Sequence, residues 1–180
     1  MDRAASSPPA PAVPATSRIA AALQRLQALE KALAVAAILG AALALTADLV
    51  GREIIGQGLF GAQRAAVHLT FIAGLLGFAV ATGSGSHLRI KATDALLPAG
   101  WAPALERLGS ACSALLSIAL AWYAARFVLQ TAAVGERSPT LAIPIWPIQA
   151  VLVWAFASAA LRHLAWAIAP RLKPVDAGLP

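Results

Sequence analysis

The groups able to do chemistry in this chain are few. They are three histidines (His68, His87 and His163), one cysteine (Cys112), and a set of ionisable residues within or beside apolar runs: Asp48, Arg52, Glu53, Arg64 and Arg126. Two histidines could ligate a haem iron if facing helices held them at one depth. His68, however, falls near one end of its apolar run, His163 near the opposite end of another, and His87 in a polar stretch between runs. A carboxylate deep in a span could carry a proton or ion, as in small four-helix exporters. Asp48 is the candidate for that role, and it lies close to the end of its run. The chain contains no nucleophile beside a base, no paired carboxylates in a run, no glycine-rich phosphate loop and no ligand cluster with metal spacing. The expectation is a protein that is no enzyme and has no cofactor.

The elements that position these groups follow from composition. Hydrophobic residues make up 59% of the chain and charged residues 12%, and the mean hydropathy of +0.74 exceeds that of an ordinary soluble domain. The apolar residues are gathered into four blocks, at about 32–51, 65–83, 108–134 and 142–168. Each is long enough to cross about 30 Å of hydrocarbon, which takes about 20 helical residues. None alternates with period two, so each must satisfy its backbone as a helix. The expected fold is an all-α integral membrane protein with four transmembrane helices spread over residues 32–169. Pro144 and Pro147 fall in the opening turns of the fourth block, where helices tolerate them. Ala42-Leu43-Ala44 resembles a signal-peptidase site, but some 30 residues precede the first block and its length suits a span better than a signal.

Outside the spans, residues 1–17 are rich in Pro, Ala and Ser and read as a disordered tail. Residues 18–31 (RIAAALQRLQALEK) place Ile19, Leu23 and Leu26 on one stripe, which predicts an amphipathic helix lying on the membrane surface before the first span. A second surface element is expected over 94–109, and residues 170–180 form a short tail. With the N-terminus inside, ten Lys and Arg residues fall on the cytoplasmic side, whereas Arg52, Arg64 and Arg137 fall outside. The positive-inside rule therefore predicts both termini in the cytoplasm. The net charge of +6 is a topological signal with an attraction to anionic lipid, and no basic-aromatic motif points to nucleic acid.

Small residues at four-residue spacing predict helix-packing faces: Ala36, Gly40 and Ala44 with Asp48, then Ala73, Gly77 and Ala81, then Ser110, Ala114, Ser117 and Ala121. Asp48 and Arg52 are four apart and can pair on one helix face, as Arg64 and His68 can stack. A bridge from Asp48 to Arg126 of the third span is the competing possibility, and otherwise Arg126 snorkels toward the headgroups. Cys112 sits among small apolar residues of the third run and reads as a small buried hydrophobe.

The order of motifs resembles a known family. Arg52 closes the first span, GAQ (61–63) opens the second, and GLLGFAVA (74–81) precedes HLRIKATDALLP (87–98), with His87 and Arg89 in a pattern similar to the family's cytoplasmic His-Ile-Arg-Val-Asp and Leu-Pro. GERSPTLAIPIWP (135–147) resembles the family's entry into its last helix, with Ser138-Pro139, Ile143-Pro144 and Trp146-Pro147. Over roughly residues 30–168 the chain looks like the small membrane subunit of tripartite ATP-independent periplasmic (TRAP) transporters. The departures are Gln63 where the family often has Glu, Lys91 where it often has Asp, and VLVWAFA (151–157) without the usual Pro-Gly. The resemblance implies a multi-pass subunit of the bacterial inner membrane that partners a large permease subunit and a periplasmic substrate-binding protein. It implies a scaffold or stator in sodium-coupled uptake of carboxylate-bearing solutes. The alternative is a free-standing four-helix membrane protein such as a cytochrome b-like anchor subunit.

Overall fold

The computed structural model describes residues 15–84 and 102–172. They form four α-helices, α1 (Ala15–Ile55), α2 (Ala62–Gly83), α3 (Ala102–Val134) and α4 (Trp146–Ile168), followed by a 3-10 turn at Pro170–Leu172. All four are long and apolar enough to cross a membrane. The chain is an all-α, multi-pass membrane protein. His87, Arg89, Lys91 and the first half of the expected 94–109 element lie outside the described residues. Residues 102–109 are not a surface element of their own but the first turns of α3.

The expected break between a surface helix at 18–31 and a first span at 32 is absent: α1 is one continuous helix of 41 residues. The reason is local. No proline lies between positions 15 and 55, glycine occurs within α1 only at 40 and 51, and Ala, Leu, Gln, Glu, Lys and Arg are strong helix formers. Helix therefore also takes in Ala15, Thr16 and Ser17, which the composition assigned to the tail. At about 1.5 Å per residue α1 is roughly 60 Å long, about twice the hydrocarbon thickness.

At the other end of the third span, Gly135 adopts φ 69 and the Glu136 amide donates to the Thr131 carbonyl at 3.3 Å, a glycine-terminated helix stop. The 135–145 connection then folds as a small hairpin. The Ser138 amide donates to Ile143 O at 2.9 Å, the Ala142 amide to Ser138 O at 2.8 Å, and the Ile145 amide to Glu136 O at 3.2 Å. Arg137 bridges Pro144, so residues 142–145 and Pro144 are not the first turn of the last helix. That helix begins at Trp146, with Pro147 in its first turn.

Helix α1 packs on α2, α2 on α4, and α4 on α3, while α1 and α3 scarcely meet. The interior is built from small side chains, among them Ala37, Ala41, Ala73, Ala79, Ala114, Ala155 and Ala159, whereas Leu43, Ile54, Leu115 and Leu129 are exposed. That inversion suits lipid, where large apolar side chains face acyl chains and backbones approach through small ones.

The buried positions follow a heptad seam rather than a four-residue ladder. In α1 the inward residues are Glu30, Ala37, Ala41, Asp48 and Gly51, with Gly40 and Ala44 half-buried and Ala36 exposed. In α2, Ala73 is buried but Gly77 and Ala81 are exposed, and Leu76, Ala79, Thr82 and Gly83 take the seam. A ladder of fours drifts about 40° per step around a helix with 3.6 residues per turn, so it cannot stay on one contact. In α3, by contrast, Ser110, Ala114 and Ser117 do face inward, because their spacing already alternates between four and three. Cys112 is exposed rather than buried.

Candidate functional site

Two polar clusters stand out in this otherwise apolar bundle, one toward each end. The first joins the ends of α1 and α2. Asp48, in the last two turns of α1 and 5% exposed, accepts from Arg52 Nε at 3.1 Å and pairs with its Nη2 at 2.9 Å. Gln63 Nε2 in the first turn of α2 donates to the same Oδ2 at 3.4 Å. Arg52 is therefore the partner of Asp48, and Arg126 is exposed on α3. Gln63 also explains itself: a second carboxylate at this position would face Asp48 with like charge, whereas the amide donates. Arg64 is exposed beside this cluster, and Arg52, Gln63, Arg64 and Thr140 line a cleft of about 340 Å³.

Of the other residues singled out, Ser138 is 2% exposed and shapes the hairpin through its main chain. Its Oγ, like His68 Nε2 and Gln149 Oε1, is buried without a hydrogen-bond partner. Pro139 and Pro144 are exposed in the hairpin, and Trp146 is exposed at the start of α4. His163 is buried near the opposite end of α4, edge-on to Trp166 at 5.2 Å, so the structure keeps it apart from His68, which lies in the second turn of α2.

The second cluster was not anticipated. Glu30 of α1 and Arg162 of α4 form an ion pair through Oε2 and Nη2, with Arg162 only 1% exposed and Glu30 fully buried. Ser158, one turn before Arg162, donates to Glu30 Oε1 and accepts from Arg162 Nη1. The same Nη1 reaches the Ala79 carbonyl of α2 at 3.0 Å. One guanidinium thus ties three helices together, and both carboxylate oxygens are satisfied. Room for it comes from Gly83, where a methyl group would lie 2.9 Å from Arg162 Nε and 3.1 Å from Gln27 Cδ. The available signals were Arg162 inside the fourth apolar block, Ser158 four residues ahead of it, and Glu30 at the threshold of the first.

Comparison with known proteins then bears on what such a bundle is. The family model for the DctQ component of tripartite ATP-independent periplasmic transporters matches residues 41–171. The chain belongs to this family. It is a TRAP small permease subunit, as the motif order implied, and the family is one of transporter subunits rather than a known enzyme class. A relative is the ectoine TRAP transporter small permease protein TeaB of Halomonas elongata, 28% identical over 122 residues, which cover 68% of this chain and 63% of that protein. The family match takes in the Asp48 cluster and Arg162 but starts after Glu30, so the α1 half of the ionic tie lies outside it.

Proposed function

We propose that this small permease is the fixed scaffold of a TRAP transporter in the bacterial inner membrane. It lies with both termini in the cytoplasm and braces a large permease subunit that moves. In this reading the large subunit carries out sodium-coupled uptake of carboxylate-bearing solutes delivered by a periplasmic substrate-binding protein. The observation that carries the reading is the use made of charge. Among the described residues, the buried charges Glu30, Asp48 and Arg162 are all committed to partners within the chain. In a substrate-carrying subunit, intramembrane charge would instead line a pathway or an ion site. Here it cross-links helices, as a part that holds its shape requires.

The test is coexpression with a candidate large TRAP permease, followed by reconstitution with a periplasmic binding protein in proteoliposomes under a sodium gradient. The pair should co-purify and transport, and neither chain alone should. Purification of the small chain by itself with a haem Soret band, or its failure to associate with the permease, would overturn the scaffold reading in favour of a free-standing cytochrome-like protein.

A further inference from the structure

The cleft at the Asp48 end has a use that scaffolding leaves unassigned. It is lined by Arg52, Leu59, Gly61, Gln63, Arg64, Val67 and Thr140, with about 340 Å³ of space. Asp48 takes the Nε and Nη2 edge of Arg52, which leaves Nη1 as the free end of a guanidinium whose side chain is 54% exposed. Arg64 contributes a second guanidinium, exposed and with no ion pair among the described residues. Two arginines against one carboxylate leave the cleft cationic. Beside it the surface is strongly apolar: Ile54 is 78% exposed, Phe60 86% and Val67 59%. These residues belong to the last turn of α1, the 56–61 turn and the start of α2, so the cleft sits where the spans meet the membrane–water boundary.

An anchored cationic fork beside apolar side chains is matched to a phosphodiester that carries acyl chains. Arginine binds phosphate through paired N–H donors, and arginines at the ends of transmembrane helices hold their charged heads at the depth of the lipid headgroups. We infer that this cleft seats the phosphate of an anionic membrane-lipid headgroup, with Arg64 and the free edge of Arg52 as donors and Leu59 and Val67 against the glycerol and upper acyl region. The inference stands on the membrane embedding of the chain and not on the scaffold role. Phosphatidylglycerol is the probe that matches it, and an acidic surface of a protein partner is the rival occupant.

Native mass spectrometry of the full-length, delipidated protein in detergent, titrated with phosphatidylglycerol, phosphatidylcholine or inorganic phosphate, tests the assignment. The wild type should retain phosphatidylglycerol at about tenfold lower concentration than phosphatidylcholine. Arg64→Gln should remove about that factor, the effect of one charge-assisted contact. Arg107→Gln, at the opposite end of α3, should leave binding unchanged. Because Arg64 is exposed, Arg64→Gln should melt like the wild type without lipid, which separates loss of the site from loss of the fold. Equal phosphatidylglycerol retention by wild type and Arg64→Gln would overturn the inference. So would inorganic phosphate binding as tightly as the lipid, or an Arg64→Gln variant that keeps its lipid yet no longer captures the periplasmic protein.

Discussion

Arg162 and Glu30 are 132 positions apart, yet their pairing, with the bond from Arg162 to the Ala79 carbonyl, ties three helices together. Removing one member of a buried ion pair leaves the other charge uncompensated, at a cost of about 3–5 kcal/mol, whereas replacing both by apolar residues of similar volume is often tolerated. Arg162→Met should therefore sharply lower the thermal midpoint of the purified protein, followed by tryptophan fluorescence in detergent. The double variant Glu30→Leu with Arg162→Met should recover most of the loss. Equal losses in the single and double variants would mean that the ion pair is not the bond that matters. Gly83→Ala probes the same cluster through space, since its methyl group would press on the guanidinium and on Gln27. It should destabilise by about 1–3 kcal/mol, the usual range for overpacking. The contrast with Asp48 shows where sequence reading reaches. Asp48 and Arg52 share a helix face by spacing alone, so their pairing is visible without a structure. Glu30 and Arg162 meet only because α1 and α4 both pack on α2, and nothing local to either residue names its partner.

Helices were legible in number because crossing a bilayer depends on apolar length, which composition reports directly. Their phases were less so. Positions 36, 37, 41 and 42 of α1 are all alanine, so side-chain size offers no contrast by which to choose the inward face, and the α2 seam that excludes Gly77 emerges only once the neighbours are placed. The last helix starts at Trp146 and not at the apolar block's edge at 142 for a different reason. Proline is as compatible with the hairpin that ends at Ile145 as with a first helical turn, and the Ser138 to Ile143 hydrogen bond decides between them. The unbroken α1 has a measurable consequence. Spin labels at Ala21 and Val50, both exposed, are separated by 29 residues of one helix and should lie about 44 Å apart at about 1.5 Å per residue. A pulsed electron-resonance distance well below that in nanodiscs would indicate a bend at residues 31–32, with the leading segment lying on the membrane. Gly135→Ala should in turn cost about 1–2 kcal/mol, because the added Cβ is strained at φ 69.

The row α1, α2, α4, α3 leaves broad faces of α1 and α2 without a partner among the described residues. On the exposed side of α2, Gly74 and Gly77 open onto space: a methyl group added at either would meet nothing within 4 Å. Glycine costs about 0.8–1.0 kcal/mol relative to alanine in a helix interior, and contact with fluid acyl chains does not require it. Close approach of another helix backbone does. The scaffold reading needs a face for the large permease, and we expect it here, on residues that the bundle itself leaves uncovered. Gly77→Leu should accordingly leave the melting temperature of the isolated small permease unchanged, since no neighbour among the described residues is displaced, while blue-native electrophoresis of the coexpressed complex should show the two subunits separated. Cys112→Ala, at an exposed position on α3, should change neither readout. If Gly77→Leu keeps the complex intact, the permease docks elsewhere. If it unfolds the chain alone, this surface is not free in the folded subunit. Only loss of assembly with retained stability assigns the α2 face to the partner.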